Sequence, residues 1–348
     1  MDSFQNDEKN RLNRGGFFEF QKAVAEASQV FVLTDENVAM FWLPEVEHWL
    51  GRHVVDIVIK PGEKYKTLQT IQRVWNVMMR HHADRQALLV NLGGGVVTDL
   101  GGFAASCYQR GIRFVNIPTT LLAMVDAAIG GKTGIDFGGC KNQIGTFAEP
   151  IEVIINPVFL CTLPEREILS GLVEMLKYGY ISRPEMLEAN RDNFQDYVLM
   201  AGDVKREIVS RDFREQGLRK VLNFGHTLGH AIESHSLTQS FSLLHGEAVA
   251  LGMGAALWLS VQCCHLDEKV LLDFEKRLPE LLLETRISFD EADIEPIMNY
   301  LAHDKKNKAG KVQFVLLEAL AKPVLDVEVA PEMMRQALAY IFNKLQNR

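Results

Sequence analysis

The first half of the chain alternates short apolar runs with stretches of helical period, and this alternation restricts the fold more than any other feature. Gln29 to Thr34, Val54 to Ile59, Ala87 to Leu92 and Arg113 to Ile117 read as strands. Between them, Asn37 to Leu50, Thr67 to His81 and Val96 to Cys107 read as helices, the second opened by a threonine cap. A strand as continuously apolar as Ala87-Leu-Leu-Val-Asn-Leu92 has to be covered on both faces. Strand–helix–strand repetition provides that cover and builds βαβ units on a mostly parallel sheet. The expected N-terminal domain is therefore α/β and Rossmann-like.

From Phe159 the period becomes helical, as in Glu165 to Tyr180, Glu185 to Ala201 and Phe224 to His235. A boundary is expected near residue 158, after Asn156-Pro157. It separates an α/β domain over 1–158 from a mainly α-helical one over 159–348. The first 15 residues read as a loose end. Ala248 to Cys264 carries no charge but is shorter than the ~20 residues of a membrane span. It also contains Gln262, so a buried core helix is expected there, with no membrane partner.

Lys and Arg number 37 against 45 Asp and Glu, a net charge of −8. Such a chain has no global basic footprint for nucleic acid, and an anionic substrate would need a local basic pocket. The five cysteines are odd in number and form no CxxC pair, which suggests reduced, mostly buried thiols. The polar, acidic start, Met1 to Glu8, has no signal-peptide pattern. The expected location is the cytoplasm.

Several motifs carry chemistry. Gly93-Gly94-Gly95 follows a buried strand and opens a helix, whose N-terminal amides can hold a pyrophosphate. It is not the GxGxxG fingerprint. The segments Thr34-Asp35-Glu36-Asn37 and Gly62-Glu63-Lys64-Tyr65-Lys66 follow strands, at the sheet edge where α/β proteins bind ligands. Pro118-Thr119-Thr120 leads to Asp126 and then Gly130-Gly131-Lys132, where amides and an amine can meet an anion; Lys141-Asn142 adds a further cation and amide.

Glu174 and Lys177 stand one turn apart in an apolar helix, and Arg219 and Asn223 one turn apart before His226. His226 and His230, four residues apart, share a helix face, and His245 follows. The Glu of an HExxH zinc protease is absent. Catalytic zinc takes about three protein ligands and keeps an open position. Glu174, His226 and His245 would make such a set, leaving His230 for proton transfer; spacing alone does not choose this over His226 with His230. The run Asp304-Lys305-Lys306-Asn307-Lys308 is a charged turn or a loop that meets an anionic substrate.

Taken in order, these motifs resemble the 3-dehydroquinate synthases, a family of sugar phosphate cyclases. The resemblance runs from about Asp35 to Leu317. It is carried by GGGVVTDLGGFAAS (93–106), RGI (110–112), IPTTLLAMVDAAIGGKTGID (117–136), KNQIGTF (141–147), FLCTLP (159–164), SGLVEMLKYG (170–179), EQGLRKVLNFGHTLGHAIES (215–234) and LLHGEAVALGM (243–253). Thr98, Ala127 and Phe213 depart from common family residues, and none removes a proposed ligand or charge.

The resemblance implies conversion of 3-deoxy-D-arabino-heptulosonate 7-phosphate to 3-dehydroquinate and phosphate, a step of the shikimate pathway. The route runs through transient oxidation, phosphate elimination, re-reduction, ring opening and an internal aldol closure. NAD and a divalent metal, zinc or cobalt, are implied as cofactors. Metal ligands would be Glu174, His226 and His245, with His230 assisting proton transfer. Asp126, Lys177 and Asn223 would hold substrate hydroxyls, and Lys205 and Arg219 the carboxylate. Lys132, Asn142, one of Lys305 or Lys306, and Arg110 from a second subunit of a homodimer would surround the phosphate. NAD would draw on Asp35, Asn37, Glu63, Lys66, Gly94, Gly95, Val96 and Asp99, and on Thr119, Thr120, Lys141 and Thr162. Alternatives are amino-dehydroquinate, 2-deoxy-scyllo-inosose or valiolone synthases, and a metal-dependent polyol dehydrogenase of related fold.

Overall fold

The structure, a computed structural model, describes residues 14–138, 140–239, 242–283, 285, 289–302 and 312–346. Lys305 and Lys306 therefore lie outside the described residues. The chain divides into two compact units, Met1–Leu163 and Pro164–Arg348.

In the first unit, helix α1 (Arg14–Glu26) precedes β1 (Val30–Asp35), α2 (Glu36–Leu50), β2 (Val54–Ile59), α3 (Leu68–Arg80), β3 (Leu88–Gly93), α4 (Gly95–Cys107) and β4 (Arg113–Pro118). The four strands form one parallel sheet in the order β2-β1-β3-β4. Consecutive residues of β3 are buried on both faces, as its unbroken apolar run requires. Phe31, Leu33 and Leu89 pack in one cluster with Ile71, Val74 and Met78 of α3 and Leu100 and Ala104 of α4. Helix α3 does open on a threonine cap, the Thr67 hydroxyl accepting from the Thr70 amide.

An antiparallel hairpin, β5 (Lys132–Phe137) and β6 (Cys140–Phe147), was not anticipated from sequence. It lacks the apolar alternation of a half-buried strand, and all but one of the β6 residues are exposed. Its pairing depends on glycine: a Cβ on Gly145 would lie 2.1 Å from the Thr133 carbonyl oxygen. The helical turn Pro157–Thr162 stays with this unit, so the units divide after Leu163, a few residues beyond the expected boundary near 158. The Trp42 indole donates to the Thr162 hydroxyl at 2.9 Å and meets Phe159 edge-on.

The second unit is mainly helical among its described residues. Its helices are α5 (Glu165–Ile181), α6 (Val198–Arg211), α7 (His226–Ser236), α8 (His245–Cys264), α9 (Glu268–Glu275), α10 (Leu278–Leu281), α11 (Ile294–Ala302) and α12 (Pro331–Gln346). A hairpin, β7 (Gln313–Ala319) and β8 (Lys322–Glu328), joins them. Helix α8 is long and apolar enough to cross a membrane, yet most of it is buried inside this unit, as expected of a core helix.

Two expectations fail here. Residues 185–201 do not form one helix. Short turns Pro184–Glu188 and Phe194–Tyr197 precede α6. Between them the Asn190 side chain accepts from the Asp192 amide and the Asn193 side chain from the Asn190 amide, a local bonding pattern that competes with helix. The thiols are also not mostly buried: Cys107, Cys140, Cys161 and Cys263 are exposed and Cys264 half-buried. They stand at helix ends, in turns and on the exposed hairpin, where the apolar core does not reach.

Candidate active site

In the first unit, several of the expected cofactor residues lie at or just after the C-terminal ends of the parallel strands. Gly93 closes β3, Gly94 caps α4 and Gly95 begins it. A Cβ on Gly94 would lie 2.9 Å from the Thr120 side chain, and one on Gly95 3.1 Å from Ala127. The glycines thus let the 119–127 segment approach the α4 N-terminus; the Thr119 amide bonds the Gly93 carbonyl at 3.0 Å. Among the described residues, the buried Thr119 hydroxyl has no hydrogen-bond partner. Val96 lies in the first turn of α4. Asp35 caps α2, accepting from the amides of Asn37 and Val38 at 2.9 and 3.1 Å. Burial raises its pKa, with those two bonds opposing.

Lys66, almost fully buried, gathers the other groups. Its ammonium bonds Asp99 at 2.6 Å and the Asn142 side-chain oxygen at 2.6 Å, with Glu63 3.7 Å away. Burial favours loss of its proton, but Asp99 and then Glu63 outweigh it and hold the pKa above the usual lysine range. The Asn142 side-chain oxygen accepts from the Lys66 ammonium, with the residue's backbone in the left-handed region at φ 49° and its backbone amide bonded to Asp136. Thr162 is engaged by Trp42. Lys132 and Lys141 sit exposed on the β5–β6 hairpin, Asp126 lies in the helical turn Ala123–Ala127, and Arg110 is exposed with φ 72°. A pyrophosphate at the α4 N-terminus and polar ligand groups at Thr119 and Asp35 fit this arrangement.

In the second unit, three helices bring the expected metal ligands together. Glycine permits their approach. A Cβ on Gly246 would lie 2.0 Å from the Ser170 carbonyl of α5, and one on Gly252 would lie 2.0 Å from the Gly225 carbonyl before α7. Gly225, at φ 77°, has Met253 against it. The Ser170 hydroxyl accepts from the Gly246 amide at 3.0 Å, which seats the first turn of α8 one helical turn from Glu174.

Glu174 is wholly buried, and among the described residues neither of its carboxylate oxygens has a hydrogen bond of proper geometry. Its neighbours are charged or chargeable: the Lys177 ammonium in direct contact, His226 Nε2 at 3.3 Å and His245 Nε2 at 3.5 Å. Burial would raise the Glu174 pKa; Lys177 and then His226 outweigh it and hold the carboxyl ionised. His226 Nδ1 lies 3.0 Å from the Phe224 carbonyl, and His245 Nδ1 lies 3.3 Å from Glu233. Donation from both Nδ1 atoms leaves both Nε2 atoms as lone-pair donors facing the same Glu174 oxygen. Burial lowers the His226 pKa. At His245 it acts the same way but is overcome by Glu233 and Glu174, which push the pKa up to about 10. The local field therefore favours a cation at this point.

His230 completes a triangle with His226 and His245, its ring centroid 5.2 and 5.7 Å from theirs. The three imidazoles offer ligand atoms within 4.8 Å of one another. A buried carboxylate and convergent imidazole nitrogens form a donor set suited to zinc or a similar divalent ion.

Lys205 of α6 and Arg219 are both buried. Asp212 accepts from the backbone amides of Gln216, Gly217 and Arg219, which shapes the loop leading to Arg219. The Arg219 guanidinium donates to the Phe213 carbonyl at 2.6 Å. Asn223 donates to Glu215 at 2.6 Å, and Glu215 has φ 58°. Glu215 and Glu233 were not singled out from sequence. Glu215 lay inside a recognised motif, and Glu233 sits seven residues, or two turns, after His226 on the same helix face.

The sheet, its glycine turn and the helical unit with its carboxylate–imidazole cluster have the fold of the sugar phosphate cyclases. A solved 2-epi-5-epi-valiolone synthase from Streptomyces hygroscopicus, with NAD+ and Zn2+ bound, superposes with a TM-score of 0.80 at 27% identity, covering 92% of each chain. Residues 56–170 match the family model for the 3-dehydroquinate synthase N-terminal region, and residues 171–307 that for the C-terminal region. The 3-dehydroquinate synthase of Clostridium tetani is 37% identical over 91% of this chain and 86% of its own length. That of Parabacteroides distasonis is 39% identical over 90% and 91%. The chain belongs to the 3-dehydroquinate synthase family.

Proposed function

We propose that the chain converts 3-deoxy-D-arabino-heptulosonate 7-phosphate into 3-dehydroquinate and phosphate, using NAD and a divalent metal, zinc or cobalt. The observation that carries this reading is the buried Glu174 carboxylate faced by Lys177 and by the Nε2 atoms of His226 and His245. Family membership supports the choice of substrate.

In this reading the second unit binds metal and substrate, with Glu174, His226 and His245 as ligands. When bound, the metal would polarise a substrate oxygen and NAD would take up and return a hydride. His230, beside the ligands, moves a proton to or from the substrate. Lys177, Asn223 and Asp126 hold substrate hydroxyls. Lys205 and Arg219 take the substrate carboxylate. Lys132, Asn142, one of Lys305 or Lys306, and the partner subunit's Arg110 take the phosphate. The first unit binds NAD through the α4 N-terminus and the groups around Asp35, Lys66 and Thr119. The enzyme acts in the cytoplasm as a homodimer.

The deciding assay follows phosphate and dehydroquinate release with zinc and catalytic NAD while NADH absorbance is recorded. Stoichiometric products without NADH build-up are expected. Steady NADH accumulation would instead mark a dehydrogenase. Silence with this substrate, despite bound zinc and NAD, would indicate a sibling cyclase for another sugar phosphate.

A further inference from the structure

Helix α8 begins at His245, and nothing in the side chain of its capping residue Leu244 can satisfy the helix N-terminus. Glu247 does so instead. Its Oε2 accepts from the Leu244 amide at 2.7 Å. The same carboxylate is held side-on by Arg166 of α5, with Nε to Oε1 and Nη2 to Oε2 both at 2.7 Å. Arg166 Nη2 also donates to the Ser242 carbonyl at 2.9 Å, and the Thr285 hydroxyl donates to Glu247 Oε1 at 2.6 Å. Glu247 is 1% exposed. Both oxygens of a buried carboxylate are thus used, and apart from the Thr285 hydroxyl its partners are the segment just before α8 and the helix that carries Glu174.

We infer that the Arg166–Glu247 fork is a positioning device that holds His245 in register with Glu174. The inference rests on the proposed role of His245 as a metal ligand. Geometry supports it in three ways. Glu247 is two residues from His245 on the same first turn. Arg166 stands two helical turns before Glu174 on α5, so the fork directly joins two of the three ligand-bearing helices. Bidentate guanidinium–carboxylate pairing fixes orientation as well as distance, which a lysine cannot reproduce. The glycine contact at Gly246 seats α8 against α5, and the fork prevents the first turn of α8 from rolling about that contact.

The test is zinc affinity, read by chelator competition on metal-stripped protein, for the wild type and for Arg166→Lys, Glu247→Gln, Thr285→Val and His245→Ala. Arg166→Lys and Glu247→Gln are expected to weaken zinc binding by about 10- to 100-fold, the usual effect of losing a group that orients a ligand. NAD affinity on the same samples is expected to stay within about twofold, a margin set well inside that metal effect. Thr285→Val, which leaves the Arg166–Glu247 fork itself intact, should stay near wild type.

A stability control, Phe342→Leu, loosens the α12 packing away from the fork and should lower Tm with zinc affinity retained. If Glu247→Gln fails to fold, Arg166→Lys decides, because Arg166 is partly exposed and keeps its charge in that variant. Zinc affinity of Arg166→Lys equal to wild type would overturn the positioning role. Unaltered zinc affinity in His245→Ala would instead remove the ligand assignment, and the inference with it.

Discussion

His226 Nε2 and Glu174 Oε1 lie 3.3 Å apart, although one residue sits on α7 and the other in the middle of α5. The distance suits two donors that face a common cation. The ligand set can be tested directly. Glu174→Gln should lose zinc and turnover together, whereas His230→Gln should keep zinc and lose turnover. Metal content by atomic absorption beside the phosphate-release rate checks both. Zinc loss in His230→Gln would exchange the two residues' roles.

Lys177 and Glu174 form an ion pair with both side chains out of solvent. Removing one partner of such a pair leaves an uncompensated buried charge, at a cost of about 3–5 kcal/mol. Lys177→Met should be destabilised by that order in metal-free protein, and added zinc should recover part of the loss by restoring positive charge beside Glu174. Urea unfolding with and without zinc measures it; no recovery would place the metal away from Glu174.

Asp35 combines two tasks that substitution can separate. As the α2 cap it accepts two backbone bonds, and asparagine can do the same. Burial already disfavours its charge. Asp35→Asn should therefore leave stability near wild type while weakening NAD binding. Asp35→Ala should also lose about 1 kcal/mol of stability. Isothermal titration with NAD and thermal melts separate the two effects, and an unchanged NAD affinity in both variants would remove Asp35 from the cofactor site.

Arg219 is buried and is held by its own loop. Arg219→Ala should raise KM for the carboxylate substrate by about 10- to 100-fold, the scale of a lost charge-assisted bond. A KM unchanged from wild type would end the carboxylate assignment.

Gly246 tolerates no side chain, because its Cβ position falls on the Ser170 carbonyl. Gly246→Ala should destabilise the second unit by about 3 kcal/mol or more through forced separation of α5 and α8. It should lose zinc as well. Calorimetry with metal analysis tests it, and a near-native Tm with full zinc would show that the helices can separate without harm to the site.

Much of this was legible along the chain. The parallel sheet could be read from consecutive apolar residues such as Leu88, Leu89 and Val90, because burial on both faces leaves no polar alternation. Thr67 announced the start of α3 through its capping chemistry. The β5–β6 hairpin was not legible: its stability comes from backbone pairing at Gly134 and Gly145, which leaves little hydrophobic pattern. The break in residues 185–201 was missed because Asn190 and Asn193 act through local side-chain bonds that helical periodicity does not register. Lys305 and Lys306 lie outside the described residues.

The sequence by itself determined which residue types could hold a metal, a pyrophosphate and an acid, and their spacing put His226 and His230 on one helix face. It did not place Glu174 against His226, nor show that Glu233 orients His245, that Asn142 faces Lys66, or that Arg166 grips Glu247. Those relations join helices and strands far apart in sequence. They depend on how closely backbones approach at glycines such as Gly246 and Gly252, and no local preference carries that information. Tertiary packing decided it, because only a folded core can hold buried charges at fixed distances and make their pairing outweigh the cost of removing them from water.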